Sequence, residues 1–214
     1  MSTSDLRRVS VDPGRLAGWL NRFAERHGPL RWSAEPGGAR IEAADGARAL
    51  LRLPGPPAST AVPLSTAELV AAAEAFCDFG LVLVRRGGYS IGAVRGARLI
   101  GSRCGTRYVQ GRTKAGGWSQ QRYARRRANQ AGTVVTAAAQ AVRDVLGGQD
   151  QVACALACGG DRPMVRAVLE QSSVAGAADR VLPDWLDVHE PRRAVLEASV
   201  ATARAVRIEL NALA

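Results

Sequence analysis

Histidine and lysine are almost missing from this chain: 214 residues include two histidines, His27 and His189, and one lysine, Lys114. No Ser-His-Asp or Cys-His set is visible, so chemistry that depends on such a set is not expected. Cysteine is scarce too. Cys77, Cys104, Cys154 and Cys158 form no C-x-x-C pair, and neither histidine lies near them in sequence. Structural zinc needs four closely spaced soft ligands, so no metal or other cofactor is expected and the cysteines read as reduced core residues. No apolar run approaches the roughly 18 residues of a spanning helix. The opening MSTSDLRRVSVD lacks the apolar segment of a secretion signal. A soluble, cytoplasmic protein with no membrane partner is the expectation.

Acidic residues are missing from one long stretch. Between Phe79 and Arg143 there are thirteen basic residues and no Asp or Glu. The chain as a whole carries +10, and the rest of it, with sixteen basic and nineteen acidic residues, is at −3. All the positive excess thus falls in one central segment, as expected for a polyanion-binding face.

What is present reads as two parts. Residues 1–63 form a small α+β unit: a helix capped by Asp12 and Pro13 and stopped at Gly28, then short strands over 29–34, 39–44 and 47–53, then a Pro-rich linker. His27 has no obvious partner and reads as a surface residue, while the helix's apolar face calls for burial against the main sheet or a partner. Residues 64–214 open with the capping-box pattern Ser65-Thr66-Ala67-Glu68 and a helix. A strand meander follows over 79–103, then a Gly- and cation-rich loop, a helix from about Ser119 to Leu146, a strand over 151–158, a helix over 162–171, a strand over 180–188 and a closing helix over 191–213. Strands alternating with helices predict an α/β fold with an α+β mixed sheet covered by helices.

The chemistry concentrates between Gly111 and Gly132. Ala124, Ala128, Ala131, Val135, Ala138, Val142 and Val145 recur at helical spacing and predict a sheet-facing stripe. Arg122, Arg125 and Arg126 share the opposite face, and Arg127 adds to the cation density. Ser119 suits a helix N-cap, where unpaired N–H groups attract anions. Arg112 and Lys114 add charge in the loop. Gly116 and Gly117 let the backbone approach a ligand, although a Gly pair alone reads as an ordinary turn before a helix, and the neighbouring amides and cations favour the ligand reading. Trp118 reads as a stacking or docking group or a core anchor. Gln120 and Gln121 bring amides that both donate and accept.

Gly116-Gly117-Trp118-Ser119-Gln120, after Arg112-Thr113-Lys114 and before an Arg-rich helix, resembles the catalytic loop of the Vms-like release factors, above all their actinobacterial branch. These are relatives of the peptidyl-hydrolysing middle domain of archaeal and eukaryotic class-one release factors. The resemblance covers roughly Leu64 to Ala214 and is specific at the loop. It implies a release-factor middle-domain-like, RNase H-like fold. Class-one factors have Gln directly after the Gly pair, whereas Trp118 and Ser119 intervene here. The Ser before Gln of Vms-like members falls on Ser119 and Gln120, with Gln121 as the alternative registration. The zinc-finger and ankyrin-repeat regions of eukaryotic members have no match, and the N-terminal unit has no counterpart.

The resemblance implies a peptidyl-tRNA hydrolase that frees nascent peptides on stalled ribosomes, in rescue or quality control. Its partners would be the large ribosomal subunit, rRNA and peptidyl-tRNA. Gln120 would position water, Gly116 and Gly117 would give the loop reach, and Ser119 would cap the helix. Arg112, Lys114, Arg122, Arg125, Arg126 and Arg127 would hold RNA phosphates. Three other readings stand beside it: endonucleolytic cleavage at the tRNA CCA end, a non-enzymatic ribosome- or RNA-binding factor, and a metal nuclease on an RNase H-like fold. The last needs clustered carboxylates on the strands, and the meander has none.

Overall fold

The computed structural model describes residues 6–56, 64–106, 118–148 and 155–214, with the backbone alone between 118 and 130. The chain forms two compact units, residues 1–77 with 201–214 and residues 78–200. The sequence reading set its boundary at 63/64 instead. The second helix and the C-terminal residues thus belong with the first unit.

In the first unit, β1 (Arg7–Val11) leads into α1 (Pro13–His27). The Asp12 carboxylate accepts from the Gly14 amide at 2.9 Å, and Gly28, at φ 92°, ends the helix. Strands β2 (Leu30–Glu35), β3 (Gly38–Ala43) and β4 (Arg48–Arg52) follow as expected. Next is α2 (Thr66–Ala75), where Ser65 Oγ accepts from the Glu68 amide and Glu68 accepts from the Leu64 amide. The expected closing helix over 191–213 is corrected: the helix ends at Arg204, and Val206–Leu210 form strand β10. Val206, Ile208 and Leu210 are buried while Arg207 and Glu209 are not, an alternation that satisfies a one-sided strand and not a helix face.

All pairings in this sheet are antiparallel, in the order β1-β10-β4-β3-β2. Ala39, Ile41, Ala49, Leu51, Val206, Ile208 and Leu210 point to one side, with Leu16, Leu20 and Phe23 of α1 and Leu69 and Ala73 of α2. Each fully buried Leu, Ile or Phe there contributes about 1.5–3 kcal/mol. The α1 face is therefore buried inside its own unit, not against a main sheet or a partner. The sheet's other side faces solvent and carries the ion pairs Arg8–Glu209 (3.2 Å), Arg40–Glu35 (2.5 Å) and Arg48–Glu42 (3.0 Å). His27 is not the partnerless surface residue expected. Its ring is largely buried against Phe23, and its Nδ1 lies 2.8 Å from Asp45.

The second unit holds the meander β5 (Phe79–Arg85), β6 (Gly88–Arg95) and β7 (Arg98–Thr106). The long helix α3 (Trp118–Leu146) follows, then β8 (Ala155–Gly160), α4 (Arg162–Ser172) and β9 (Val181–Leu186). Helix α5 (Arg193–Arg204) closes the unit with its first two turns. The sheet order is β7-β6-β5-β8-β9, antiparallel through the meander and parallel from β5 to β9. The mixed α/β class is the one the alternation of elements predicts.

Strand register sorts the two faces of this sheet. Val82, Val84, Ile91, Ala93, Leu156 and Cys158 point to the side where Val134, Ala138, Val142 and Leu146 of α3 and Val165 and Val168 of α4 pack. On the opposite side the buried Ser90 hydroxyl donates to the Pro191 carbonyl at 2.8 Å, and a Cβ at Gly92 would meet Leu196 of α5. Both faces are covered, so β5 is apolar and buried from Phe79 to Val84. Within the predicted α3 stripe, Ala131, Val135, Ala138, Val142 and Val145 do pack on this core; the side chains of Ala124 and Ala128 lie outside the described residues. The core-cysteine reading holds for Cys158. It is corrected for Cys104, exposed on the edge strand β7, and for Cys77, half-buried; Cys154 lies outside the described residues.

Candidate functional site

The segment singled out in the sequence joins β7 to α3, and the structure describes the two ends that hold it. Arg112, Lys114, Gly116 and Gly117 lie outside the described residues. Ser119, Gln120, Gln121, Arg122, Arg125, Arg126 and Arg127 belong to the first turns of α3, where the backbone alone is described. The helix begins at Trp118, one residue before the expected start, so Ser119 sits in the first turn instead of at the cap. Element ends are where local preference decides least.

Register fixes which end of the sheet the loop serves. Thr106, the last residue of β7, pairs with Gly88 beside the β5–β6 turn. At the other end, Leu146 of α3 lies beside Gly80 of β5. The loop therefore leaves and returns at the carboxyl ends of the parallel strands, the usual ligand-facing edge of an open α/β sheet. The 29 residues of α3 make a rod of about 43 Å. The seven of β5 span about 23 Å. With their far ends level at Leu146 and Gly80, the first half of α3 runs on past the strands.

The described residues at this edge are tightly arranged. Gly160 adopts φ 91°, and a Cβ there would lie 2.2 Å from the Val84 carbonyl oxygen. The Asp161 amide donates to that same carbonyl at 2.8 Å, and the Asp161 carboxylate caps α4 by accepting from the Met164 amide. Trp185 donates its indole N–H to the Gly160 carbonyl at 3.0 Å, with the Arg162 guanidinium 4.4 Å above its ring. Arg85 Nε donates to the Val188 carbonyl at 2.6 Å. The Tyr89 ring lies so close over Gly105 that a Cβ there would come within 2.6 Å of it, one residue before the chain leaves β7. Sequence reasoning passed over Tyr89, Arg162 and Trp185. Their proximity depends on strand register, which leaves no mark in local sequence.

The acid-free stretch is divided by the fold. Of its thirteen cations, six have described side chains and the other seven fall between residues 107 and 127. Arg103 pairs with Asp144 of α3, so it serves the framework. Arg143 donates to the Gln171 carbonyl at 3.0 Å and to Gln140, closing the carboxyl end of α4. Arg95 and Arg98 flank the β6–β7 turn, at the end away from the loop. Concentrated charge thus belongs to residues 107–127, not evenly to the whole stretch. Burial pushes the Cys158 thiol up to about 12, which keeps it an inert core group. His189 is exposed, 3.9 Å from Asp187. Among the described residues, no three His, Cys, Asp or Glu side chains gather as a metal site would require, and no helix is long and apolar enough to cross a membrane.

The end of β7 and the start of α3, which bracket the cation-rich segment, thus lie at the carboxyl edge of a mixed sheet. The family model of the Actinobacteria/chloroflexi VLRF1 release factor matches residues 77–209, and the chain belongs to that family. A ribosome-associated, release-factor-like function goes with that membership. The match takes in the whole second unit and the first unit's residues 201–209, and leaves residues 1–76 outside it. Among curated proteins there is no match. Among solved structures, one described as "Archaeal protein" is 14% identical, with 94% of this chain and 66% of that one covered and a TM-score of 0.30. This chain therefore spans just under two thirds of that structure's length, and a likeness at that level supports no argument.

Proposed function

We propose that the protein is a peptidyl-tRNA hydrolase that frees nascent peptides on the large ribosomal subunit through its Gly116-Gly117-Trp118-Ser119-Gln120 run. The observation that carries this reading is where the run falls: at the junction of β7 and α3, in a chain of the VLRF1 release-factor family. The substrate would be the ester that joins the peptide to the tRNA's terminal adenosine. That ester is already activated, so the protein has to position a water and help stabilise the developing oxyanion. A neutral amide and the N–H groups of a helix start suit that task without a titrating side chain. Gln120 would orient the water by its amide or backbone, and the two glycines would let the loop approach the ester. Arg112, Lys114, Arg122, Arg125, Arg126 and Arg127 would hold RNA phosphates. Such a protein works in the cytoplasm on stalled complexes.

The test uses stalled large-subunit nascent-chain complexes, with the peptide and the tRNA end resolved separately. Gln120→Ala should slow peptide release by about 100- to 1000-fold, the scale of losing one oxyanion donor, while melting temperature and ribosome association hold. Release at the wild-type rate would sink the assignment and leave Gln121→Ala as the variant to measure. A tRNA shortened at its CCA end, with the ester intact, would replace hydrolysis with nuclease chemistry.

A further inference from the structure

The first unit has a face that the release reading does not use. Its sheet buries one side under α1 and α2, and pairing gathers six arginines on the other: Arg8, Arg31, Arg40, Arg48, Arg52 and Arg207. They come from five strands drawn from both ends of the chain. Three glutamates share the face, and each is ion-paired with one arginine, Arg8, Arg40 or Arg48. Six arginines against three glutamates leave the face three positive charges in excess.

Arg52 and Arg207 are direct cross-strand partners where β4 meets β10. Like charges in that position oppose strand pairing. Burial first, and the facing Arg52 guanidinium next, hold Arg207 below the usual arginine range, partly offset by the Glu209 carboxylate on the same strand. Among the described residues, the only large apolar side chain on this side is Leu50 and no aromatic ring lies there, since Trp32 points to the core. Among the described residues no aromatic platform for a base is present on the face, whereas guanidinium forks match phosphate oxygens.

We infer that this open sheet face is a second RNA-docking surface, which grips phosphates without reading sequence. It rests on the release-factor reading only for which RNA is met, tRNA or ribosomal RNA.

The test is salt-dependent binding by full-length Arg52→Glu, with Arg22→Glu making the same charge change on an exposed α1 position. The probes are tRNA, deproteinised large-subunit rRNA and intact large subunits. Arg52→Glu should weaken binding to naked RNA about tenfold near 0.1 M salt and lower the slope of log K against log salt by about one or more. The arm that responds names the RNA. Arg22→Glu should stay within about twofold of wild type. Arg52→Glu also replaces a like-charge pair with an opposite one, so its melting temperature should not fall. If the reversal does unfold the protein, Arg52→Gln carries the same measurement. Equal effects of the two reversals, or a loss seen with intact subunits and absent with naked RNA, overturn the proposal, the latter in favour of an acidic protein partner. Wild-type peptide release is scored alongside: release with unaltered Arg52→Glu binding fails the face alone, and lost binding without wild-type release fails the hydrolase reading alone.

Discussion

In β10, Val206, Ile208 and Leu210 are buried while Arg207 and Glu209 reach water; in β5, every residue from Phe79 to Val84 is buried. The two strands stand for their sheets. The first unit covers one face of an antiparallel sheet and leaves the other polar, while the second covers both faces of a mixed one. A sheet covered on both sides can meet a partner only at its ends. That is where β7 ends and α3 begins, on either side of the cation-rich segment. A half-covered sheet can use its whole open face, and its alternate residues are free to carry charge. The comparison therefore separates a unit whose proposed site lies at an edge from one whose proposed site is a whole face.

Substitutions can break this contrast or sharpen it. The largest effect belongs to Gly160→Ala in the second unit. Its positive φ and the 2.2 Å approach to the Val84 carbonyl force β8 away from β5, at a cost of about 3–4 kcal/mol. Hydrogen exchange should rise across β5, β8 and α4. Exchange rising equally in β3 and β4 would show that the two units open together, which would end the contrast. Next is Ile208→Ala, which empties a fully buried site in the first unit at about 3 kcal/mol. Its signature is faster exchange in β1, β4 and α1, with the second unit's core unchanged.

The smallest effect concerns the His27–Asp45 contact. The Ala47 amide first, and the His27 side chain next, hold the Asp45 carboxyl below the usual carboxylate range. A lowered folded-state pKa adds stability above the unfolded value of about 4 and loses it as pH falls through the folded value. The first unit should therefore weaken below about pH 4, and Asp45→Asn should flatten that part of an acid melt. An acid limb identical in the variant would remove this contact from the account.

Local chemistry was readable wherever it was self-contained. Asp12, Pro13 and Gly28 marked both ends of α1, and Gly-containing turns marked the meander. The strands β1 and β10 escaped because each is completed by a partner about two hundred residues away in sequence. Val206-Arg207-Ile208-Glu209-Leu210 has a strand's alternation, but it follows a helix whose apolar spacing runs smoothly into it. His27 had no visible partner because Asp45 reaches it only after the β-hairpins form. The proposed release loop was legible as residue types, glycines, an amide and cations. The edge that carries it was not: Tyr89 over Gly105 and Arg162 over Trp185 exist only once register is set. The arginine face is the extreme case, since Arg8, Arg52 and Arg207 share no local pattern.

The place of β10 between β1 and β4 also sets an order of events during synthesis. Strands β1 to β4 are made first, but the sheet lacks its bridging strand until residues 206–210 have been translated. At about 5–20 residues per second, the interval between Arg52 and Arg207 lasts on the order of ten seconds or more. Through that time the second unit is made and can fold, while the apolar side of the first sheet waits with one strand missing. Vectorial translation thus makes the N-terminal part of this chain the last to mature.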